Sequence, residues 1–374
     1  MENKSKRTGW YIHFNARDTV GASKKIDAQL KAFNRYFDVV EKDIKLKSRK
    51  RIANIFALLP LGSLTWNYTS LYKDEIPDFV YVRKILTDRK FYKFCKYVKK
   101  RRPDCKIIVE IHTWPYDRIK SKVLGDVFLF KDKYYNSKKT NKLVDRYVTY
   151  SDDNTIFGVQ TIIVKNGTDV DSIKIRASRE KSNKTINLIW VAFFGVQHGV
   201  ERVIYGLKEY YANENKSNLE DVQLHMIGDG SVISQIKEMV KNYGLESKVH
   251  FYGYKYGDEL DKLYDMCDIG LSIFGFYKAG VNRSSALKVR EYLAKGLPVV
   301  SGCKEDAFDG VNSDYFLEYP NDDSIIDMTK VVEFYHRIYD NKSQECVVKE
   351  IREFAKKTVD METAMKPVFD YCIE

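Results

Sequence analysis

The sequence predicts an α/β fold of two tandem domains, each a doubly wound parallel sheet with helices on both faces. Short apolar runs alternate with amphipathic stretches along most of the chain. Those runs are nearly continuous in apolar character, which is the pattern of parallel strands buried on both faces. The length of 374 residues exceeds one ordinary core and suits two of about 150 to 200 residues each.

The second half shows the pattern most clearly. TINLIWVA (185–192), DVQLHMIG (221–228), KVHFYG (248–253), DIGLSIF (268–274) and LPVVSG (297–302) have strand character, with GVERVIYGLKEYYAN, VISQIKEMVKNYG and DELDKLYDMC as helices between them. In the first half GWYIHFN, ANIFALL, DFVYVRK, KIIVEIH, DRYVTYS and TIIVKNG are strands, and SKKIDAQLKAFNRYF and RKFYKFCKYVKKRR are helices. A polar stretch without periodicity, residues 166–184, marks the border. The expected domains are therefore 1–170 and 171–359, with a C-terminal helix at 360–374 that packs back on the first. Ligands of doubly wound sheets bind beyond the carboxyl ends of the strands, so a cleft between two such domains is the expected site.

Composition excludes several classes. Apolar residues make up 44% of the chain and charged residues 31%, a globular balance. The six cysteines form no CxxC pair and lie near no histidine group, so neither a zinc site nor a disulfide framework is expected. The N-terminal MENKSKRTGWYIHF has no apolar core of a signal peptide, and no run is long enough to span a bilayer, so a cytoplasmic protein is expected. Residues 1–170 hold 36 Lys and Arg against 19 Asp and Glu, whereas the remainder holds 27 against 33. The basic first half either meets an anionic partner, such as an acidic membrane face or a phosphate-bearing substrate, or is a solvated lysine-rich surface. No RNA- or DNA-binding motif accompanies the charge, so nucleic acid is not an expected partner.

NRSSALKVREYLAKGLPVVSG (282–302) is expected to be helix, tight turn and strand, with Gly296 and Pro298 ending the helix. Ser284, Lys288 and Glu291 fall on one helical face, opposite Ala286, Val289 and Leu293, and are expected to point away from the core. The N-H groups of Ser284, Ser285, Ala286 and Leu287, with Lys288 one turn in, suit a diphosphate. Glu291 lies roughly 10 Å further along the axis, where a ribose would offer its hydroxyls. The competing expectation is an ordinary solvent-facing Lys-Glu pair. In the first half, Gly21 and Ala22 fall at a helix start suited to phosphate or to a plain capping turn, and Glu110 and His112 point to one face at a strand end.

INLIWVAFFGVQHGVERVIYGL, LHMIGDGSVISQIKEMVKNYGL, KVHFYGYKYGDELDKLYDMCDIGLSIF and ALKVREYLAKGLPVV occur in an order and spacing that resemble the nucleotide-sugar domain of GT-B glycosyltransferases, specifically the family 4 group. FNARDTVGASKKIDAQLKAF and VKNGTDVDSI extend the resemblance over almost the whole chain. It implies two Rossmann-like domains facing across a cleft, a donor site in the second, and a retaining, metal-independent transfer from a UDP- or GDP-linked sugar. By this resemblance Glu291 holds the nucleotide ribose, Lys288 and the Ser284–Leu287 backbone lie near the diphosphate, and Gly228, Asp229, Gly253 and Tyr254 line the nucleotide and its base.

The chain departs from the family at two places. Arg283 stands where the family has its first glutamate near the donor sugar, and is expected either to clamp the diphosphate or to lie on the surface. His198 stands where a lysine is usual, so His198 and Arg202 become the phosphate candidates. The resemblance places His112 on the acceptor side as the acid/base or hydrogen-bonding group, with Tyr116 and Arg118 in the same loop. DVD at 169–171 copies a metal-binding Asp-x-Asp but falls in the connector, so no metal is expected. The expected acceptor is a glycan or lipid-linked glycan of capsule, exopolysaccharide or O-antigen synthesis, at the inner face of the plasma membrane. A catalytically weak homologue serving as a binding or scaffold subunit is the alternative, motivated by Arg283 and His198.

Overall fold

The computed structural model describes residues 6–14, 20–45, 66–83, 86–112, 114, 123–178, 185–212 and 220–374. The strand expected at ANIFALL and the loop residues Tyr116 and Arg118 lie outside them. The chain divides into two compact units, Met1–Lys165 with Ala364–Glu374, and Asn166–Thr363.

In the first unit β1 (Thr8–His13), β2 (Asp38–Asp43), β3 (Phe79–Arg83), β4 (Lys106–Ile111), β5 (Arg146–Thr149), β6 (Thr155–Ile156) and β7 (Val159–Ile163) form one sheet in the order β2-β1-β3-β4-β5-β7-β6. All pairs are parallel except β6 with β7. That hairpin turns on Phe157 and Gly158, both at positive φ, the two-residue geometry whose twist matches the strands it joins. One face is covered by the helices Val20–Tyr36 and Met361–Ile373, where Phe33 meets Phe79 and Phe369 at ring separations of 5.9 and 4.9 Å. The opposite face packs Phe91, Phe94 and Val98 of the helix Arg89–Arg101 against Ile107, Val109 and Tyr147.

In the second unit β8 (Thr185–Val191), β9 (Asp221–Ile227), β10 (Val249–Phe251), β11 (Ile269–Leu271), β13 (Val299–Ser301) and β15 (Phe316–Glu318) form a wholly parallel sheet in the order β10-β9-β8-β11-β13-β15. β12 (Arg283–Ser284) and β14 (Lys304–Glu305) make a separate two-residue ladder. Strand order reverses between β8 and β11, the position at which doubly wound sheets bind ligands beyond the carboxyl ends of their strands. The aperiodic stretch after Asn166 is held by single residues: Val170 enters the core, and Arg176 donates to the carbonyls of Cys267 and Gly296 and to the Tyr339 hydroxyl. Among the described residues, no helix is long and apolar enough to cross a membrane.

Candidate active site

The crevice of the second unit is built by backbones in contact. The loop leaving β8 and the loop leaving β11 are joined by hydrogen bonds from Phe274 N to His198 O (2.9 Å) and from Gly275 N to Gln197 O (3.1 Å). Gly199, at φ 62°, permits this approach, since a Cβ there would lie 2.6 Å from the Phe274 carbonyl carbon. The IGDG turn after β9 closes on the same loop. Gly228, at φ 119°, would place a Cβ 1.9 Å from Ala192 O, while Phe194 N donates to Asp229 O (2.7 Å) and Gly228 N to Gly253 O (2.7 Å). The loops carrying Gly228, Asp229, Gly253 and His198 are thus one bonded assembly. Phe193, Val196, Tyr254 and Leu287 expose apolar side chains on these loops and on the first residue of the helix Leu287–Lys295. The Tyr254 ring is parallel to that of Tyr256, 6.3 Å away.

The 282–302 segment differs from the expected helix at its start. Arg283 and Ser284 are extended and pair with Lys304 and Glu305, and the helix begins at Leu287. Ser284, Ser285 and Ala286 therefore precede it, and its N-cap is Ala286, which supplies no side-chain cap. The first turn keeps N-H groups and positive partial charge that no side chain among the described residues caps. The helix ends as expected at Gly296, which is left-handed at φ 84°.

The expectation that Ser284, Lys288 and Glu291 all face away from the core is corrected. Ser284 is buried, and the Lys288 Nζ is enclosed and makes no hydrogen bond among the described residues. The β12–β14 ladder draws this part of the chain inward and sets Ser284 opposite Glu305. Burial pulls the Lys288 ammonium down to about 7, with Glu305 acting against the shift. Glu305 is 2% exposed, and its Oε1 accepts from the hydroxyls of Ser272 (2.6 Å) and Ser301 (3.2 Å). Burial raises the Glu305 carboxyl to about 7, against the Ser272 hydroxyl and Arg290. Glu291 follows one turn after Lys288, half-buried beside Tyr264, whose hydroxyl is pushed up by burial and then by the Glu291 charge.

His198 is buried at the carboxyl end of β8, and its Nδ1 accepts from Gly195 N (3.1 Å), which leaves the proton on Nε2. Burial, and next the Lys288 charge, lower this imidazole to about 3, so it is a neutral donor. Arg202 does not join it. Its guanidinium is consumed by the carbonyls of Phe274 (2.6 Å), Ser324 (2.6 Å) and Pro320 (3.0 Å), a clip between loops that removes it from the phosphate candidates. Arg283 is paired with Asp309 rather than placed at the helix start, which explains how a guanidinium is tolerated there. Sequence reasoning missed Arg290 and Asp306. Arg290 is buried, pairs with Asp306 and donates to Asn166 O (2.9 Å), fixing the segment ahead of the helix; its place on the face opposite Lys288 was the available signal.

In the first unit, Glu110 and His112 share a face at the end of β4, with His112 Nδ1 3.2 Å from Glu110 Oε1. Glu110 is fully buried and accepts from Tyr81 and Tyr150 (2.7 Å each) and Gln29 (3.2 Å), with Arg83 Nε at 3.7 Å. Burial alone would raise this carboxyl, but Arg83 and then His112 hold it well below the usual carboxylate range. His112, 40% exposed in its side chain, also meets Arg83 through Nε2 (3.3 Å). Gly21 and Ala22 lie in the first turn of the helix Val20–Tyr36, and the loop before it is outside the described residues. Asp169 of the DVD sequence accepts from Ser172 N (3.3 Å) and caps the short turn Val170–Ser172.

Two parallel sheets with a strand-order reversal in each, and the crevice residues above, define the α/β class whose glycosyltransferase form is GT-B. Residues 171–324, within the second unit, match the family model described as glycosyl transferases group 1. The fold is similar to Anabaena Alr3699/HepE in complex with UDP, at TM-score 0.61 and 12% identity over 97% of this chain and 99% of that one. It is likewise similar to the lipopolysaccharide outer core galactosyltransferase WaaB, at 0.58 and 14% over 98% and 99%. Sucrose-phosphate synthase from Thermosynechococcus elongatus gives 0.60 and 11% over 98% and 99%. No curated protein matches the sequence.

Proposed function

We propose that this chain is a glycosyltransferase that moves a sugar from a UDP- or GDP-linked donor to an acceptor hydroxyl. The observation that carries the reading is the unpartnered Lys288 Nζ in the first turn of a helix without a side-chain cap, at the strand-order reversal of a group 1 glycosyltransferase domain. A diphosphate at the helix start receives main-chain N-H groups, the helix dipole and Lys288, with the neutral His198 Nε2-H as a further donor. These groups act most strongly as negative charge grows on the departing diphosphate, so they favour the transition state over the bound donor. Glu291 takes the ribose hydroxyls, and Tyr254 borders the base. Under this reading transfer retains anomeric configuration, takes place without a metal ion, and has no cofactor besides the donor.

His112 is the acceptor-side residue, held by Glu110. The acceptor is a glycan carried on a lipid, as in capsule, exopolysaccharide or O-antigen assembly, and the chain works at the cytoplasmic face of an anionic membrane. The basic first half supports this part of the reading. The similar structures include a UDP complex and a lipopolysaccharide outer core galactosyltransferase, which supports this choice of donor and acceptor.

Arg283, paired with Asp309 where the family carries a glutamate, favours a second reading, a nucleotide-binding subunit without turnover. A panel of UDP and GDP sugars tests both. Release of nucleoside diphosphate that depends on an added glycan acceptor supports transfer; binding without release supports the subunit; no binding of any nucleotide contradicts both.

A further inference from the structure

The helix Arg89–Arg101 has seven cationic residues among thirteen and no acidic one. It buries Phe91, Phe94, Cys95 and Val98 and exposes Arg89, Lys93, Lys96 and Lys100, spaced four, three and four apart in a single stripe. None of those four cations forms an ion pair among the described residues. The helix Val123–Lys138 presents a different stripe. Tyr135 and Asn136 turn inward, while Val127, Phe130 and Tyr134, three and four apart, are exposed, Phe130 by 71%.

These stripes are neighbours. Both helices connect successive strands of β3, β4 and β5, which step in one direction across the sheet, so both lie on the same face. Leu129 packs on the same core cluster as Phe91, Phe94 and Val98. The residues that lead into the first helix are bonded to the second: Thr87 N donates to Asp132 (2.5 Å) and Thr87 Oγ1 to Asn136 (3.0 Å). The outward faces of the pair therefore form one surface, apolar along one helix and cationic along the next.

An exposed aromatic and aliphatic stripe beside unpaired lysines matches the interface of an anionic bilayer, where apolar side chains enter the headgroup boundary and cations lie over anionic head groups. A nucleic acid is a poorer complement, because the aromatic groups are gathered on the other helix instead of being interleaved with the cations along a groove. We infer that the helices Arg89–Arg101 and Val123–Lys138 are the surface by which this chain docks on anionic lipid, through Val127, Phe130 and Tyr134 and the row Arg89, Lys93, Lys96 and Lys100. The inference rests on the proposed lipid-linked acceptor for its purpose alone, and binding is measured without donor or acceptor.

The full chain is sedimented with vesicles of phosphatidylcholine and with vesicles in which part of that lipid is replaced by phosphatidylglycerol, at moderate salt. Binding to the anionic vesicles alone is expected. Phe130→Ser is expected to weaken it about tenfold, from the apolar surface no longer inserted. The double variant Lys93→Glu, Lys96→Glu is expected to weaken it at least as much, with a loss that grows as salt is lowered. All these positions are exposed, and unchanged thermal unfolding shows that each variant folds. Equal binding to neutral vesicles, no binding to anionic ones, or undiminished binding by both variants overturns the inference. So does capture of single-stranded RNA that the lysine variant abolishes while vesicle binding persists. Vesicle binding by a chain that binds no nucleotide leaves this surface standing and removes the proposed function instead.

Discussion

Lys288 is buried within the field of the Glu305 carboxyl in the second unit, and its Nζ has no hydrogen-bond partner among the described residues. Burial lowers the ammonium and raises the carboxyl until both titrate at about 7. Such a pair is poorly satisfied by itself and is completed by an anion that restores the full positive charge of Lys288.

Proton uptake follows from that completion. Above pH 7 the empty site holds a neutral Lys288, and a diphosphate favours its protonated form, so binding takes up a proton and affinity falls as pH rises from 7. Calorimetry at pH 8 in two buffers of different protonation heat should show this uptake. Lys288→Met should abolish it and weaken UDP or GDP binding about 10- to 100-fold, the range of one charge-assisted hydrogen bond.

The same group gives a stability signature. Folding lowers the Lys288 pKa from 10.5 to about 7, so the unfolded chain binds more protons between those values and the contribution of this residue to stability rises with pH across the window. Denaturant unfolding of Lys288→Met should lack that component of the rise.

Arg202→Ala should cost about 2 kcal/mol in urea unfolding, because it strands the buried carbonyl of Phe274 and frees the more exposed carbonyls of Ser324 and Pro320 from the clip. Arg202→Lys should restore little, since one ammonium cannot reproduce the fork of donors.

Glu110→Gln tests the network under His112. Glu110 is depressed below its ordinary 4.5, so its stabilising contribution is complete above that pH and is lost as pH falls through the folded value. The variant should be about 3 kcal/mol less stable at neutral pH, and the difference from the unaltered chain should shrink on acidification.

The fold was legible where local pattern and burial agree. Apolar runs such as TINLIWVA and KIIVEIH became β8 and β4 because parallel strands covered on both faces need that composition. β2, sequence DVVEKD, is an edge strand with charged residues exposed or half-buried, so it lacks the apolar continuity that marked the others. In the site, the spacing of Lys288 and Glu291 and the pairing of Glu110 with His112 were visible as periodicities. Three features were not: the extended Arg283–Ser284 pair depends on the distant Lys304–Glu305, the Arg202 clip on carbonyls over 70 residues away, and the burial of Lys288 on how that ladder closes. Helical phase tells which residues share a face; long-range pairing decides where the helix starts and what that face meets.

In the proposed function, the loops at the reversal between β8 and β11 bind a nucleoside diphosphate through the start of the helix Leu287–Lys295. Calorimetric titration of the full chain with UDP and with GDP, repeated on Lys288→Met and Glu291→Ala, tests it most directly. At least one nucleotide is expected to bind, and both substitutions are expected to weaken it about tenfold or more. No binding of either nucleotide, or binding that both substitutions leave unchanged, would contradict it.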